Sequence, residues 1–209
     1  GGTSGMLASG TTATIASGSE LRYYRGDAQW VSTIAIGHNL AGDGTFRVQS
    51  TGANGIGQYT YGGTNTMTAG SAGIVIDKAR LSVQTQANLG NNTPLVTILD
   101  GGQLHIAKGV TLTNNFNITG LGWREPNGSQ LGALTIDTGW TTSAPVTLSG
   151  NIALAGNSRV FVVTNDATLS GVISGSGGLE KTGNRMLTLS GANTYTGATT
   201  ISEGTLAVA

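Results

Sequence analysis

Cysteine is absent from the 209 residues, which excludes disulfides and thiolate metal sites. Charge is scarce: charged side chains make up 10% of the chain, against an average of about 25%. The net charge is zero, and the ten basic residues are scattered from Arg22 to Arg185. Phosphate recognition needs a concentrated positive field, so nucleic acid is excluded as a partner, and a basic membrane-surface helix fails for the same reason. No apolar run approaches the roughly 20 residues of a spanning helix. Windows with apolar residues at i, i+3, i+4 and i+7 are also lacking, which leaves helix almost unsupported. There are three prolines. The chain begins without an initiator methionine or a signal peptide, the mark of a processed product or an excised fragment.

What is plentiful is glycine, 35 residues, with many Thr, Ser and Asn among two-residue apolar alternations. Glycine without proline or a triplet period is turn glycine, and β-branched side chains pack well on pleated strands. GALTID (132–137), PVTLSGNIAL (145–154) and DATLSGVISG (166–175) each place apolar residues two apart between glycines. If Leu148, Leu169, Leu187 and Leu206 are equivalent, their spacings are 21, 18 and 19 residues. A period near twenty points to stacked coils, because each coil supplies the next with a buried interface and paired backbone groups. The expected fold is all-β, one elongated domain over residues 1–209. At about 4.8 Å per layer and about twenty residues per coil, it would hold about ten coils in a rod of about 50 Å.

Inward ladders are expected from Ile74 and Ile76, Leu81 and Val83, Val96 and Ile98, Leu104 and Ile106, Leu134 and Ile136, Leu187 and Leu189, and Leu206 and Val208. Asn114, Asn115 and Asn117, with Asn151, Asn157 and Asn165, suit turns, where the side chain bonds local backbone and the residue tolerates the left-handed region.

The segment GSGGLEKTGNRMLTLSGANTYTGATTISEGTLAV (175–208) resembles the passenger-associated repeat of bacterial autotransporters, also called the autotransporter-associated β-strand repeat. The matching positions are Gly175, Gly177, Gly178, Leu179, Lys181, Gly183, Leu187, Leu189, Gly191, Asn193, Tyr195, Gly197, Thr199, Ile201, Gly204 and Leu206. Arg185 and Met186 depart from the pattern at a turn where the family more often has Gly and Thr. LVTILDGGQLHI (95–106) and residues 132–174 look like passenger coils, whereas residues 1–94 share only the β-rich composition. The resemblance implies a right-handed parallel β-helix carried to the cell surface of a Gram-negative-type bacterium. Its partner would be an outer-membrane β-barrel of the same polypeptide, and the repeat would aid folding and export.

Other chemistry is weighed against that scaffold. Polysaccharide-cleaving β-helices need two or three convergent carboxylates, and the ten acids here include no adjacent pair. Asp77, Asp100 and Asp137 each end a strand and are expected as polar edge residues. His38 and His105 stand alone, away from metal-ligand spacing, and are expected at the surface or rim; no cofactor is read from the sequence. The nucleophile motif G-x-S-x-G is absent.

Recognition has two candidates. Arg25, Gly26 and Asp27 form an RGD tripeptide beside Tyr23, Tyr24 and Trp30, which a loop would offer to a host receptor; a turn between strands is the default. Tyr59, Tyr61 and Trp123, with Tyr23, Tyr24, Trp30 and Trp140, are candidates for stacking on a glycan from loops such as 57–63 and 120–130. Capping or padding of the stack is the preferred role for these rings. The function expected is a non-enzymatic surface or secreted passenger, acting as adhesin or stalk. The alternatives are a filament subunit built by end-to-end self-association, since uncapped coil ends expose unpaired backbone, and a carbohydrate-active β-helix.

Overall fold

The computed structural model describes residues 6–26, 33–51, 53, 56–68, 73–91, 94–107, 109–137 and 144–209. Three short strands make each turn of the chain, and every strand ladder is parallel, which gives a parallel β-helix. The first face stacks Glu20–Arg25, Thr45–Ser50, Gly73–Asp77, Val96–Ile98, Phe116–Gly120, the start of Ile152–Val162, and Ile173–Gly175. The second stacks Ile34–Ile36, Gln58–Tyr61, Arg80–Val83, Gln103–Ile106, Leu134–Ile136, the end of Ile152–Val162, Leu179–Thr182 and Thr199–Ile201. The third begins with Thr12–Ile15, Asn39–Gly42 and Asn65–Met67, and resumes with Thr111–Leu112, Val146–Leu148, Ala167–Leu169, Met186–Leu189 and Thr205–Val208.

Between the two halves of the third face lies a single helical turn, Gln86–Leu89. Its residues include Ala and Leu, both good helix formers. Asn88 holds it in place: its Oδ1 accepts from the N–H groups of Gln84 and Thr85 at 3.0 Å, and its Nδ2 donates to Gly63 O at 2.9 Å. One side chain thus ties the helical turn to the coil before it, where a strand would have used a ladder.

Pleated alternation puts one residue in two inside. Columns such as Phe46, Ile74, Val96, Phe116, Ile152 and Ile173 run through the core from coil to coil. Each fully buried Leu or Ile contributes about 1.5–3 kcal/mol relative to exposure. Outside, Thr147, Thr168 and Thr188 form one hydroxyl column, and Ser149, Ser170 and Ser190 lie on the same face, which keeps the exterior wet.

The period near twenty holds in the C-terminal part, where Ser158 pairs with Leu179, 21 residues on, and Leu179 with Thr199, 20 on, and also between Val96 and Phe116, 20 on. Other coils are longer: Thr12 pairs with Asn39, 27 residues on, and Phe116 reaches Ile152 only after 36. Among the described residues the first face therefore holds seven strands in place of about ten. The third face there has nine levels, counting the helical turn, and eight steps of about 4.8 Å give about 38 Å in place of 50 Å.

Leu148 pairs with Leu169 as the spacing predicts, but Leu169 pairs with Leu189, and Leu187 lies between Ala167 and Leu206. A two-residue shift leaves every side chain on its own face, so hydrophobic pattern alone does not distinguish the two registers. The asparagines also act differently from expectation. Lys78 is the one non-glycine of positive φ among the described residues, so none of these asparagines uses the left-handed region. Several reach the neighbouring coil: Asn151 N–H donates to Asn115 Oδ1 at 2.9 Å, Val172 N–H to Asn151 Oδ1 at 3.0 Å, and Gly178 N–H to Asn157 Oδ1 at 2.9 Å.

Candidate functional site

The C-terminal repeat occupies the last two levels of the rod. Its strands bury Leu179, Lys181, Leu187 and Leu189. Lys181 is the unusual member, because it stands in the apolar column Leu134, Val160, Lys181, Ile201 and is 0% exposed. Its stem lies along that column, and the Nζ donates to the carbonyls of Thr182 at 2.8 Å, Gly183 at 2.7 Å and Glu203 at 3.2 Å. All three ammonium protons therefore find acceptors, as a buried charge requires. Burial lowers its pKa, opposed by the charges of Glu203 and Asp166. Glu203 closes the node, its Oε2 accepting from Gly183 N–H at 3.0 Å, so one coil corner grips the next.

Two glycines make this corner and its neighbour possible. Gly183 has φ +81°, and the preceding coil's Val162 carbonyl fills the space where a Cβ would stand. At Gly197 the backbone of Gly177 and Gly178 occupies that space. On the outer surface Arg159 clasps Glu180, with contacts of 2.9 and 3.3 Å, and Ser202 Oγ donates to the same carboxylate at 2.9 Å. These bonds hold Glu180 ionised: burial opposes the charge, while Arg159 and Ser202 outweigh it and bring the pKa below the ordinary carboxylate value.

The inward pair Leu206 and Val208 differs from its predecessors. Leu206 is half-buried and Val208 is 79% exposed, and Ile201 on the second face is 54% exposed. Both positions keep the inward register, and no described coil lies above them.

The sequence-selected recognition residues fall elsewhere. Asp27, Trp30 and Trp140 lie outside the described residues. Arg25 ends a strand with its side chain buried, so it is not offered on a loop. Tyr59 and Tyr61 belong to the strand Gln58–Tyr61, whose alternation was masked in the sequence by flanking glycines. Both rings point inward and pack with Tyr23, His38 and Phe46, and their hydroxyls donate to the carbonyls of Gln49 at 3.0 Å and Thr64 at 3.2 Å. Trp123 is 0% exposed, and its indole N–H donates to Ile56 O at 2.6 Å. None of the three presents a ring face to a sugar. His38, expected at the rim, is likewise buried in this aromatic cluster; its Nδ1 lies 3.2 Å from Tyr23 Oη.

Trp123 anchors the loop 121–131, which folds over the outer side of the second face. Beneath and beside it lies a polar group that sequence reasoning missed. Arg80 stacks over Trp123 at 5.7 Å and pairs with Glu125 at 3.3 Å. Ser82 and His105 are register partners in adjacent coils, with Ser82 Oγ 3.1 Å from His105 Nδ1. Burial, reinforced by the Arg80 charge and opposed by Asp137, pushes the His105 pKa down to about 4. The Nε2 atom is enclosed and makes no hydrogen bond, so this Ser–His contact has no open side for a substrate. The 23-residue step from Ser82 to His105 is a coil length, the one sequence signal that pairs them. Asp77 binds Arg47 and Gln49, apart from this group, so the three strand-ending aspartates do not form one column.

Compared with known proteins, residues 179–208 match the passenger-associated-transport-repeat family. No curated protein and no solved structure matches the chain. The repeat and the parallel solenoid together fit an autotransporter passenger domain.

Proposed function

We propose that this chain is a non-enzymatic passenger segment, displayed at the cell surface or secreted. It forms one β-helical domain that acts as a stalk or adhesin, and its C-terminal repeat assists folding and export. The outer-membrane β-barrel implied by that repeat is its partner in the full-length polypeptide. The observation that carries the reading is the repeat's continuity with the solenoid: residues 179–208 form two coils clasped to each other through Lys181 and Glu203, and joined to the coil before them by continuous ladders and the Arg159–Glu180 pair. A rigid coil gives later-arriving coils a paired backbone edge to fold against, which suits a chain that crosses a membrane unfolded.

The test is display of the full-length protein in a Gram-negative host, read by protease accessibility and antibody binding on intact cells. Deletion of residues 179–208 is expected to reduce display strongly while the barrel still inserts. Undiminished display of a folded passenger would overturn the export role. A second reading is end-to-end assembly into filaments, since a parallel β-solenoid can pair its backbone edges with those of another copy. Ordered fibres of constant width in electron micrographs of the isolated chain would favour it, and separate short rods would dismiss it.

A further inference from the structure

The corner between the first and second faces carries Thr51, Lys78 and Asp100 in successive coils, and the inserted loop folds beside it. Thr51, Lys78, Asp100, Arg124, Gln130 and the backbone at Gly122 line an open cleft of about 260 Å³ there. The scale suits one sugar ring, since whole drug-sized ligands occupy pockets of about 300–1,000 Å³.

Elsewhere on the rod three arginines are neutralised in place, Arg47 by Glu20 and Asp77, Arg80 by Glu125 and Arg159 by Glu180, while the exposed Arg185 stands alone without a cation or cleft beside it. In the cleft, the side chains of Lys78, Arg124 and Asp100 make no hydrogen bond or ion pair with any described residue, and all three are exposed. The backbone at Lys78 is also telling. It has φ +51°, whereas Gly101, packed against it in the next coil, holds φ +79° as glycine readily does. A lysine kept at a conformation that glycine adopts without strain points to a use for its side chain.

The donors and acceptors narrow the ligand. A guanidinium takes a carboxylate through two parallel N–H bonds, and an ammonium adds a point charge. Asp100 only accepts, so it suits sugar hydroxyls, as does the hydroxyl of Thr51. Gln130 Nε2 already donates to Gly122 O at 2.7 Å, which leaves its Oε1 to accept as well. Two cations and one carboxylate leave a net charge of +1, matched by a monoanion. A neutral sugar would leave both cations unanswered, and a dianionic phosphate would face Asp100. Trp123 turns its ring inward, so stacking plays no part.

We propose that this cleft binds the carboxylate of an acidic sugar residue, a uronate or a sialate, with Lys78 and Arg124 on the carboxylate and Asp100 on the ring hydroxyls. The inference deepens the adhesin reading above and is independent of the export role.

Saturation-transfer NMR and calorimetry on the 209-residue chain would use trigalacturonate, its methyl ester and sialyllactose as probes. Saturable binding of at least one acid is expected at millimolar Kd or tighter, and the stronger of the two identifies the source. The ester should bind at least about tenfold more weakly than trigalacturonate if the uronate is the ligand. Lys78→Gly and Arg124→Gln should each weaken binding about tenfold, with the Lys78→Gly unfolding temperature unchanged or raised. Absence of saturable binding by both acids, equal binding of ester and acid, or full affinity in Lys78→Gly would overturn the proposal. Any of these results alongside normal surface display would sink the ligand assignment and leave the stalk and export reading standing.

Discussion

Acidification should weaken the middle of the rod through His105. Its imidazole is held near pKa 4 in the folded chain against an ordinary 6.5. The causes are burial first, then Arg80 nearby, with Asp137 opposing. Ser82 lies against Nδ1, and Nε2 is enclosed with no acceptor, so the protonated ring would lack a partner for its added N–H. Because the folded pKa is depressed, the unfolded chain binds more protons between the two values. The stabilisation is complete above the unfolded pKa and is lost as pH falls toward the folded one. At about 1.4 kcal/mol per pH unit the full gap is worth about 3 kcal/mol, of which about 2 to 3 should disappear between pH 7 and pH 4.5. Urea unfolding across that range would measure the slope for the native chain and for His105→Gln, whose amide oxygen can still accept from Ser82. The variant should lose the His105 share of the slope between about pH 6.5 and pH 4.5 and keep that of His38, whose pKa burial also lowers. NMR titration of the ring gives the same quantity directly. A pKa near 6.5 in the folded protein, or identical slopes for the two chains, would refute the reasoning.

Truncating the buried ammonium tests the corner node: Lys181→Ala should cost about 2–4 kcal/mol, since it opens a cavity and strips three carbonyls of their donor. Hydrogen exchange should then quicken around Gly183 and Glu203, and unchanged exchange there would count against the node. Trp123→Ala should cost about 3–5 kcal/mol and render the loop 121–131 sensitive to limited proteolysis. In the 209-residue chain Val208→Ser, at an exposed position, should stay within about 0.5 kcal/mol of the unsubstituted chain, whereas Leu189→Ala, one coil below, should cost about 2–5 kcal/mol by thermal unfolding. Comparable losses at both positions would show that Val208 is covered in solution.

The apolar alternation located the core well. Pairs such as Leu104 with Ile106 and Leu134 with Ile136 point inward as their spacing predicts, because one buried face imposes a period of two. Register was harder to read, since Leu187 and Leu189 suit the same face and only the corners distinguish them. The strand Gln58–Tyr61 was hidden by the glycines around it; the sequence places its aromatic rings on a loop, with padding of the stack as their preferred role, and they lie in the core. The charged group around Arg80 and the cleft at Lys78 were illegible for a different reason. Their members are one or more coils apart, and the coil length varies from 20 to 36 residues, so sequence distance does not reveal which outward side chains meet.

The buried ammonium of Lys181 carries a consequence for how coils are accepted during growth of the rod. An apolar interior tolerates a slip of two residues, because leucine exchanges for leucine at little cost. A charge is less tolerant: if the coil carrying Glu203 slipped by two residues, the Nζ would keep the Thr182 and Gly183 carbonyls of its own coil but lose that of Glu203. Lys181 thus favours one alignment with the coil that carries Glu203, which an all-apolar column would not do.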